Sequence, residues 1–380
     1  MSVFETSVQV FLAPVLPYLK DESVTEIMIN GPKCIFIERR GLVEKTTAEF
    51  EDESALMAAV RNISQFVGRP IDNEHPFLDA RLPDGSRIHA VVPPVARNGT
   101  TVAIRKFSKE RLALKDLIAK GALTNEAARF LDVCLYLKKN IIVSGGTGSG
   151  KTTLLGILAS RCLPNQRIVV LEDSAELKIH NEHVVFMEAR PADEYGKGAV
   201  GLRDLVKSSL RLRPDRVIVG EVRGAEALDL ISSMNTGHSG SMGTVHSNNP
   251  KECLTRLETL SLMTDSEVPV QAVRAQVAAA IQIVIQLSRM QDGSRKITHI
   301  SEGLGMDIHG NYLVNDIYLF EQTGRDKDGK ILGEQRPTGN LPSFMKEVEV
   351  NHLPLTREML ERKPLKGKNG VPAKPETDAA

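Results

Sequence analysis

The first third of the chain is organised as short alternating runs of apolar and polar residues around one helical pattern. Strand-like alternation covers 24–50, and apolar positions recur at helical spacing over 52–67. A second strand-rich stretch contains a turn at 83–85. Residues 1–20 favour a short amphipathic helix interrupted by proline. Together these patterns predict a compact α+β domain over 1–107.

From about residue 125 the pattern changes to helices that alternate with apolar strands. The predicted strands cover 140–144, 167–171, 183–188, 216–220 and 241–245. A helix over 267–280 and a β-hairpin over 281–303 follow. Strands separated by helical segments indicate a mostly parallel sheet covered by helices. The chain is therefore predicted to be α/β in its second domain, over 125–322.

Three other segments connect or follow these domains. Residues 108–124, rich in Lys and Arg, are predicted to be a linker with a short helix. Residues 323–362 are turn-rich and polar and are predicted to form a C-terminal extension. Residues 363–380 have almost nothing to bury, and we expect a disordered tail there.

Composition excludes several classes of protein. Apolar content is 41%, and the formal net charge is zero, which argues against a large basic face for nucleic acid. The four cysteines are scattered, so neither a disulfide framework nor a zinc site is predicted. No apolar run is long enough to cross a bilayer, and the N-terminus is a poor secretion signal. We expect a cytoplasmic protein whose membrane association goes through partners.

The strongest motif is a phosphate-binding loop at 145–152, a full match to G-x-x-x-x-G-K-[ST]. An apolar strand precedes it and a helix follows, which is the geometry that binds phosphate. Lys151 can reach the β- and γ-phosphates, and the Thr152 hydroxyl can coordinate Mg²⁺. The predicted nucleotide-binding residues here are Gly145, Gly146, Thr147, Gly148, Ser149, Gly150, Lys151, Thr152 and Thr153.

Two later strands end in carboxylates. Glu172 and Asp173 follow an apolar strand, and Glu221 follows another across Gly220. The carboxyl ends of parallel strands meet at one edge of a sheet, beside the phosphate loop. Glu221 can activate the attacking water, while Glu172 assists and Asp173 is a second candidate Mg²⁺ ligand. The alternative is that these acids are solvated strand ends without a catalytic role.

His246 ends a third strand-like run and is placed like the acids. A single histidine is usually structural, but three strand ends that carry polar groups toward one edge favour a γ-phosphate sensor.

Taken together, these motifs resemble those of the type II and type IV secretion ATPase superfamily. Within it the chain resembles the CpaF-type branch, the motor of tight-adherence (Tad) pili. Four boxes occur in the family's order: the phosphate loop, Glu172-Asp173, 211–223 and 243–246. Further segments carry the closer resemblance: 25–32, 79–87, 105–108, 234–238 and 286–289.

The resemblance implies a hexameric ring of two-domain subunits, with a PAS-like N-terminal domain, a RecA-like C-terminal domain and ATP between them. It also places arginines of the N-terminal domain on the nucleotide phosphates. The matching positions are Arg87 and Arg105, with Arg81 as a weaker match. Arginine suits this role because its planar fork can hold phosphate oxygens bidentately. From the residues alone, these arginines are as well explained by a solvated face.

The motifs predict a Mg²⁺-dependent ATPase. The resemblance implies that it powers assembly or retraction of a Tad-type pilus, or a related secretion machine, with platform proteins at the inner membrane as partners. One alternative is a motor for conjugative DNA transfer, although the neutral net charge and the absence of an aromatic-basic stripe count against direct DNA binding. Another is a regulator that senses ATP without turnover. A GTPase is disfavoured because no N-K-x-D motif follows the loop.

Overall fold

The computed structural model describes residues 3–39, 41–106, 112–192, 196–264 and 267–362. The chain divides into two compact units, Met1–Arg111 and Leu112–Ala380. The expected disorder of 363–380 and the first residues of the expected linker lie outside the described residues.

The first unit is a six-stranded antiparallel sheet with helices packed on one face. Its helices are α1 (Val3–Phe11), α2 (Leu16–Lys20) and α3 (Glu53–Val67), with a 3₁₀ turn at Ala13–Val15. Its strands are β1 (Val24–Asn30), β2 (Ile35–Arg39), β3 (Leu42–Lys45), β4 (Phe77–Arg81), β5 (Arg87–Val91) and β6 (Thr101–Arg105). Their order is β3-β2-β1-β6-β5-β4. The predicted α+β character of this segment is confirmed.

Local signals in the sequence explain why α3 forms where it does. The Asp52 side chain accepts a hydrogen bond from Ala55 N at 2.8 Å and so caps the helix start. Gly68, in the left-handed region at φ 67°, ends the helix. Leu56 and Ile63 of the helix pack into the same apolar core as the inward-facing residues of the strands. The helix predicted over 52–67 is confirmed.

The second unit is a nine-stranded mixed sheet between two layers of helices. Its helices are α4 (Leu114–Ala119), α5 (Asn125–Tyr136), α6 (Lys151–Ser160), α7 (Leu202–Ser209), α8 (Glu226–Asn235), α9 (Pro250–Ser261), α10 (Val270–Ala280) and α11 (Met345–Val350). Its strands are β7 (Ile141–Gly145), β8 (Ile168–Glu172), β9 (Val184–Glu188), β10 (Arg216–Val219), β11 (Met242–Val245), β12 (Ile283–Arg289), β13 (Arg295–Met306), β14 (Tyr312–Arg325) and β15 (Ile331–Pro337).

The strand order is β15-β14-β13-β12-β7-β11-β10-β8-β9. From β9 to β12 neighbouring strands run parallel, and from β12 to β15 they run antiparallel. The parallel strands are buried on both faces: Ile141 and Val143 belong to one apolar cluster and Ile142 to the other. The predicted parallel strands and the following hairpin are therefore confirmed.

The region after residue 323 differs from the expectation of a turn-rich extension. β14 runs through residue 323, β15 pairs with it, and Phe344, Met345 and Val348 pack into the core of the second unit. The apolar pattern of the sequence does not predict these strands, because most of their side chains are only half-buried. They are stabilised by pairing with the neighbouring strand, which apolar periodicity does not record. Likewise Leu114 and Leu123, within the expected linker, are buried in this unit's core.

Candidate functional site

The phosphate loop curls between β7 and α6 because its glycines adopt conformations that other residues avoid. Gly148 and Gly150 have φ of 69° and 98°. Gly145 lies so close to β12 that a Cβ there would be 2.5 Å from the Leu287 carbonyl oxygen. The Ser149 hydroxyl closes the loop by donating to Gly146 O at 2.8 Å. The loop leads directly into the N-terminus of α6, where backbone N–H groups favour an anion.

Lys151 is the buried cation of this loop. Its side chain is 7% exposed, and its Nζ donates to the carbonyl oxygens of Gly145 and Gly146, both at 2.9 Å. The same Nζ lies 3.4 Å from both ring nitrogens of His246. Thr152 beside it is half-buried, and Thr153 is exposed. The structure therefore brings the loop lysine and the predicted sensor histidine into contact.

Glu221 joins the same cluster at the end of β10. One carboxylate oxygen lies 2.6 Å from His246 Nε2, and the other accepts a hydrogen bond from Arg223. The Arg223 guanidinium also reaches Asp173, at 3.8 Å. A continuous chain of polar groups thus runs from Lys151 through His246, Glu221 and Arg223 to Asp173.

The sheet order explains this convergence. β11 lies between β7 and β10, so the residue that follows β11, His246, stands between Lys151 and Glu221. Ser247, the next residue, is held on both sides: its hydroxyl is 2.5 Å from that of Ser144, and its carbonyl accepts from Gln286 at 3.1 Å. The site is therefore anchored to β7 and β12 as well as to its own strand.

The electrostatics of the cluster keep Glu221 ionised and His246 neutral. Burial alone would raise the pKa of Glu221, but the hydrogen bond from Arg223 and the nearby positive charges hold that pKa below its ordinary value. Burial and the charge of Lys151 lower the pKa of His246, against the attraction of Glu221. A neutral His246 can donate its Nε2–H to the Glu221 carboxylate.

Glu172 occupies a different environment. It is 4% exposed, and its Oε1 accepts from the backbone N–H groups of Glu176 and Leu177, each at 2.8 Å. Burial is the larger effect and raises the pKa of this carboxyl above its ordinary value. Its strand, β8, is three strands from β7, or about 14 Å at the usual strand spacing. In this structure Glu172 holds the turn that follows its own strand.

The predicted Mg²⁺ ligands are a hydroxyl and a carboxylate. Thr152 lies in the first turn of α6, next to Lys151, and Asp173 lies at the Arg223 end of the polar chain. Among the described residues, no group of three or more His, Cys, Asp or Glu side chains could hold a metal ion. This donor set fits a Mg²⁺ ion that is held mainly by phosphate oxygens and water, with Thr152 as a protein ligand.

The arginines expected from the resemblance form one row on the sheet of the first unit. Arg81 is paired with Arg87 across β4 and β5, and Arg87 with Arg105 across β5 and β6. Directly paired residues share a face of a sheet, so the three cations lie side by side. Glu26 of β1 is paired with Arg105 and continues the row. The phosphate loop belongs to the second unit.

Two residues at the site, Arg223 and Arg295, were not predicted from the sequence. Arg223 lies two positions after Glu221, and that spacing along an extended segment could have suggested a partner for the carboxylate. Arg295 donates from Nε to Gly148 O at 2.8 Å, although 147 residues separate them. No local pattern signals a contact over that distance.

Comparison with known proteins places the chain in a family. The profile of the family described as Type II/IV secretion system protein matches residues 9–317. The chain belongs to this family. The resemblance to the secretion superfamily is thereby confirmed at the level of the family.

Individual relatives are similar to this chain over most of their length. A Mycobacterium tuberculosis protein whose name links it to conjugal transfer is 36% identical over 291 residues, covering 75% of this chain and 82% of that protein. The type IV secretion system protein VirB11 of Brucella suis is 32% identical over 327 residues, covering 78% and 89%.

Solved structures support the fold. The ATPase DotB of Yersinia pseudotuberculosis superposes with a TM-score of 0.53 at 16% identity, with 79% of each chain covered. The DotB of Legionella pneumophila gives 0.51 at 21% identity, with 76% of this chain and 79% of that chain covered. The chain therefore shares the fold of these two ATPases. Over the described residues, no helix combines the length and apolarity needed to cross a membrane.

Proposed function

We propose that this protein is a Mg²⁺-dependent ATPase. The observation that carries the proposal is the contact of Lys151, His246 and Glu221 beside the phosphate loop. A phosphate loop alone would fit a nucleotide sensor. A carboxylate kept ionised next to the γ-phosphate position adds the group that hydrolysis requires.

Each residue of the cluster has a distinct task in this proposal. Lys151 leaves the loop carbonyls for the β- and γ-phosphates, and the loop N–H groups bind the same anion. Glu221 orients and activates the attacking water. His246, neutral and between Lys151 and Glu221, senses whether a γ-phosphate is present. Mg²⁺ held with Thr152 would neutralise charge on the phosphates.

We assign water activation to Glu221 rather than Glu172. The Glu172 carboxylate is occupied by two backbone donors and lies on a more distant strand. Asp173 contacts Arg223 and so helps to fix the position of the guanidinium that binds Glu221. As a ligand of Mg²⁺, Asp173 is the second choice after Thr152.

The work done by hydrolysis is proposed to be mechanical. The arginine row of Arg81, Arg87 and Arg105 would bind the phosphates of a nucleotide seated on the second unit, so that hydrolysis opens and closes the two units against each other. We propose that the first unit is PAS-like, the second RecA-like, and that the subunits form a hexameric ring. The ring would act in the cytoplasm, recruited by platform proteins of the inner membrane.

The machine we favour is a Tad-type pilus, on the segments 25–32, 79–87 and 286–289 that resemble that branch. Conjugative DNA transfer is a second candidate, favoured by relatives that carry the name of conjugal transfer proteins. A strain that lacks the gene should lose surface pili if the first proposal is correct. Loss of plasmid transfer with normal pili would select the second.

The ATPase proposal is tested by Lys151→Ala. This change removes the loop's cation, so phosphate release should fall to background while the fold persists. Lys207→Ala, at an exposed position on α7, is the matched control and should keep full turnover. Wild-type protein that binds ATP but releases no phosphate would favour the nucleotide sensor instead.

A further inference from the structure

The hairpin formed by β12 and β13 carries two arginines at its tip, directly opposite each other. Arg289 and Arg295 are cross-strand partners. Like charges in this arrangement destabilise a sheet unless something nearby compensates. The hairpin adjoins the phosphate loop, because β12 is also the neighbour of β7, the strand that leads into that loop.

Both arginines contact the outer side of that loop. Arg295 Nε donates to the carbonyl oxygen of Gly148 at 2.8 Å. The Arg295 stem crosses the loop, since a Cβ on Gly150 would lie 3.5 Å from Arg295 Cδ. A Cβ on Gly148 would lie 3.3 Å from Arg289 Nη1. Gly148 and Gly150 of the loop therefore lie directly against the two arginine side chains.

The hydrogen bond to Gly148 has a chemical consequence for the loop. When the Ser149 N–H points at an anion, the Gly148 carbonyl of the same trans peptide unit points away from that anion. A cation that binds an outward carbonyl polarises that peptide unit and makes its N–H, here that of Ser149, a stronger donor. The Ser149 N–H makes only a long contact of 3.4 Å, to Gly146 O.

The hairpin is built to hold these arginines in place. Asp292 in its turn accepts from Ser294 N at 2.9 Å and from Ile331 N at 2.7 Å, which ties the turn to β15. Lys296, next to Arg295, donates from Nζ to Gly121 O at 2.9 Å on the segment that follows α4. A rigid support is what a residue needs if it is to position another group.

We propose that Arg295 is a positioning residue for nucleotide binding: from outside, it holds the Gly148–Ser149 peptide of the phosphate loop in its anion-binding form, with Arg289 as a second cation at the same place. The proposal rests on the proposed function of the loop. It predicts a contribution to phosphate affinity by a residue that does not itself contact the phosphates.

The test compares Arg295→Met, which keeps the stem but removes the charge and the hydrogen bond, with Arg295→Lys, which keeps a charge. Arg357→Met, at an exposed arginine paired with Glu349, is the matched control. We expect Arg295→Met to weaken binding of a fluorescent ATP analogue about three- to tenfold, roughly the net weight of an ordinary hydrogen bond, because Arg295 acts on the phosphates only through one peptide unit. KM for ATP should rise by the same factor with kcat within about twofold, since ground state and transition state lose the same contact. Arg295→Lys should recover part of the loss.

Amide hydrogen exchange without nucleotide separates this proposal from the proposed function. Peptides that cover 145–150 should exchange faster in Arg295→Met than in Arg357→Met, with equal melting temperatures. Equal exchange and equal affinity in the two variants would overturn the role of Arg295. If the wild-type protein binds no nucleotide, the proposed function fails, and the exchange rates still decide whether Arg295 holds the loop.

Discussion

At the scale of single residues, the chemistry of this protein depends on how each carboxylate is surrounded. Glu221 lies among Lys151, His246 and Arg223, which hold it ionised through the physiological range. Glu172 is buried, and burial raises the pKa of its carboxyl although two backbone N–H groups donate to it. Two acids at neighbouring strand ends thus have opposite shifts, because positive charges surround one and burial dominates at the other.

Removing the charge of Glu221 should separate ATP binding from ATP hydrolysis. Glu221→Gln keeps the size and the hydrogen-bonding reach of the side chain but removes its charge. ATP affinity should stay within about threefold, and turnover should fall by about 10²- to 10⁴-fold, the usual contribution of a positioned base. Steady-state phosphate release and analogue binding measure the two effects. Glu334→Gln, at an exposed position on β15, is the control, and a mutant that hydrolyses like it would remove Glu221 from the mechanism.

A second residue-scale prediction separates Glu172 from Glu221. Glu172→Gln can still accept from Glu176 N and Leu177 N, so turnover should stay within about twofold of wild type. Glu172→Ala should lose both bonds and destabilise the unit by about 1–3 kcal/mol. A turnover loss in Glu172→Gln as large as that of Glu221→Gln would show that Glu172 is the base.

The pH dependence of stability gives an independent check on Glu172. Its pKa is raised in the folded protein, so the ionised form costs stability once the pH rises through that pKa, and Gln mimics the protonated form. Glu172→Gln should therefore melt at or above the wild-type temperature at pH 7. The difference should vanish as the pH falls below the ordinary value of 4.5. A gap that grows at low pH would contradict the shift.

At the scale of elements, the phosphate loop is shaped by the strand beside it as much as by its own glycines. Gly145 has φ 154° and faces the Leu287 carbonyl of β12. Gly146, the next residue, has open space where a Cβ would lie. The two glycines share a motif but not a structural requirement.

This contrast gives an element-scale prediction. Gly145→Ala should lower the free energy of unfolding by about 2–4 kcal/mol, from backbone strain and the contact with Leu287. The melting temperature should fall by roughly 5–15 °C. Gly146→Ala is the matched control and should stay within about 0.5 kcal/mol of wild type. Equal melting temperatures for both variants would show that β12 moves aside and does not constrain the loop.

At the scale of the whole molecule, the row of Arg81, Arg87 and Arg105 lies on one unit and the phosphate loop on the other. A nucleotide bound by both would couple its affinity to closure of the two units. A head-to-tail interface that closes on itself would then give a ring. The proposed motor depends on both of these properties.

The nucleotide should control the compactness and the oligomeric state of the protein. A non-hydrolysable ATP analogue should compact the protein or stabilise its oligomer, and ADP should do so less. Arg87→Ala and Arg105→Ala should weaken this response and lower turnover. Arg61→Ala, at an exposed position on α3 of the same unit, should not. Small-angle and light scattering in three nucleotide states measure the effect, and an unchanged monomer with fully active arginine variants would contradict the ring.

The sequence by itself determined the features that depend on neighbouring residues. The run 145–152 specifies its own turn, because glycine spacing and the helix that follows are local properties. Apolar runs identified the parallel strands, since strands buried on both faces have a continuous pattern. The resemblance also names Arg81, Arg87 and Arg105 as phosphate-binding residues, and that role stays a prediction.

Only the tertiary structure decided which of these features meet. No local pattern shows that β11 lies between β7 and β10, yet that order brings His246 to both Lys151 and Glu221 and leaves Glu172 one strand further away. The same holds for Arg295, which reaches Gly148 because β12 pairs with β7. Strand order results from packing over the whole chain, whereas a motif records only the conformational preferences of adjacent residues.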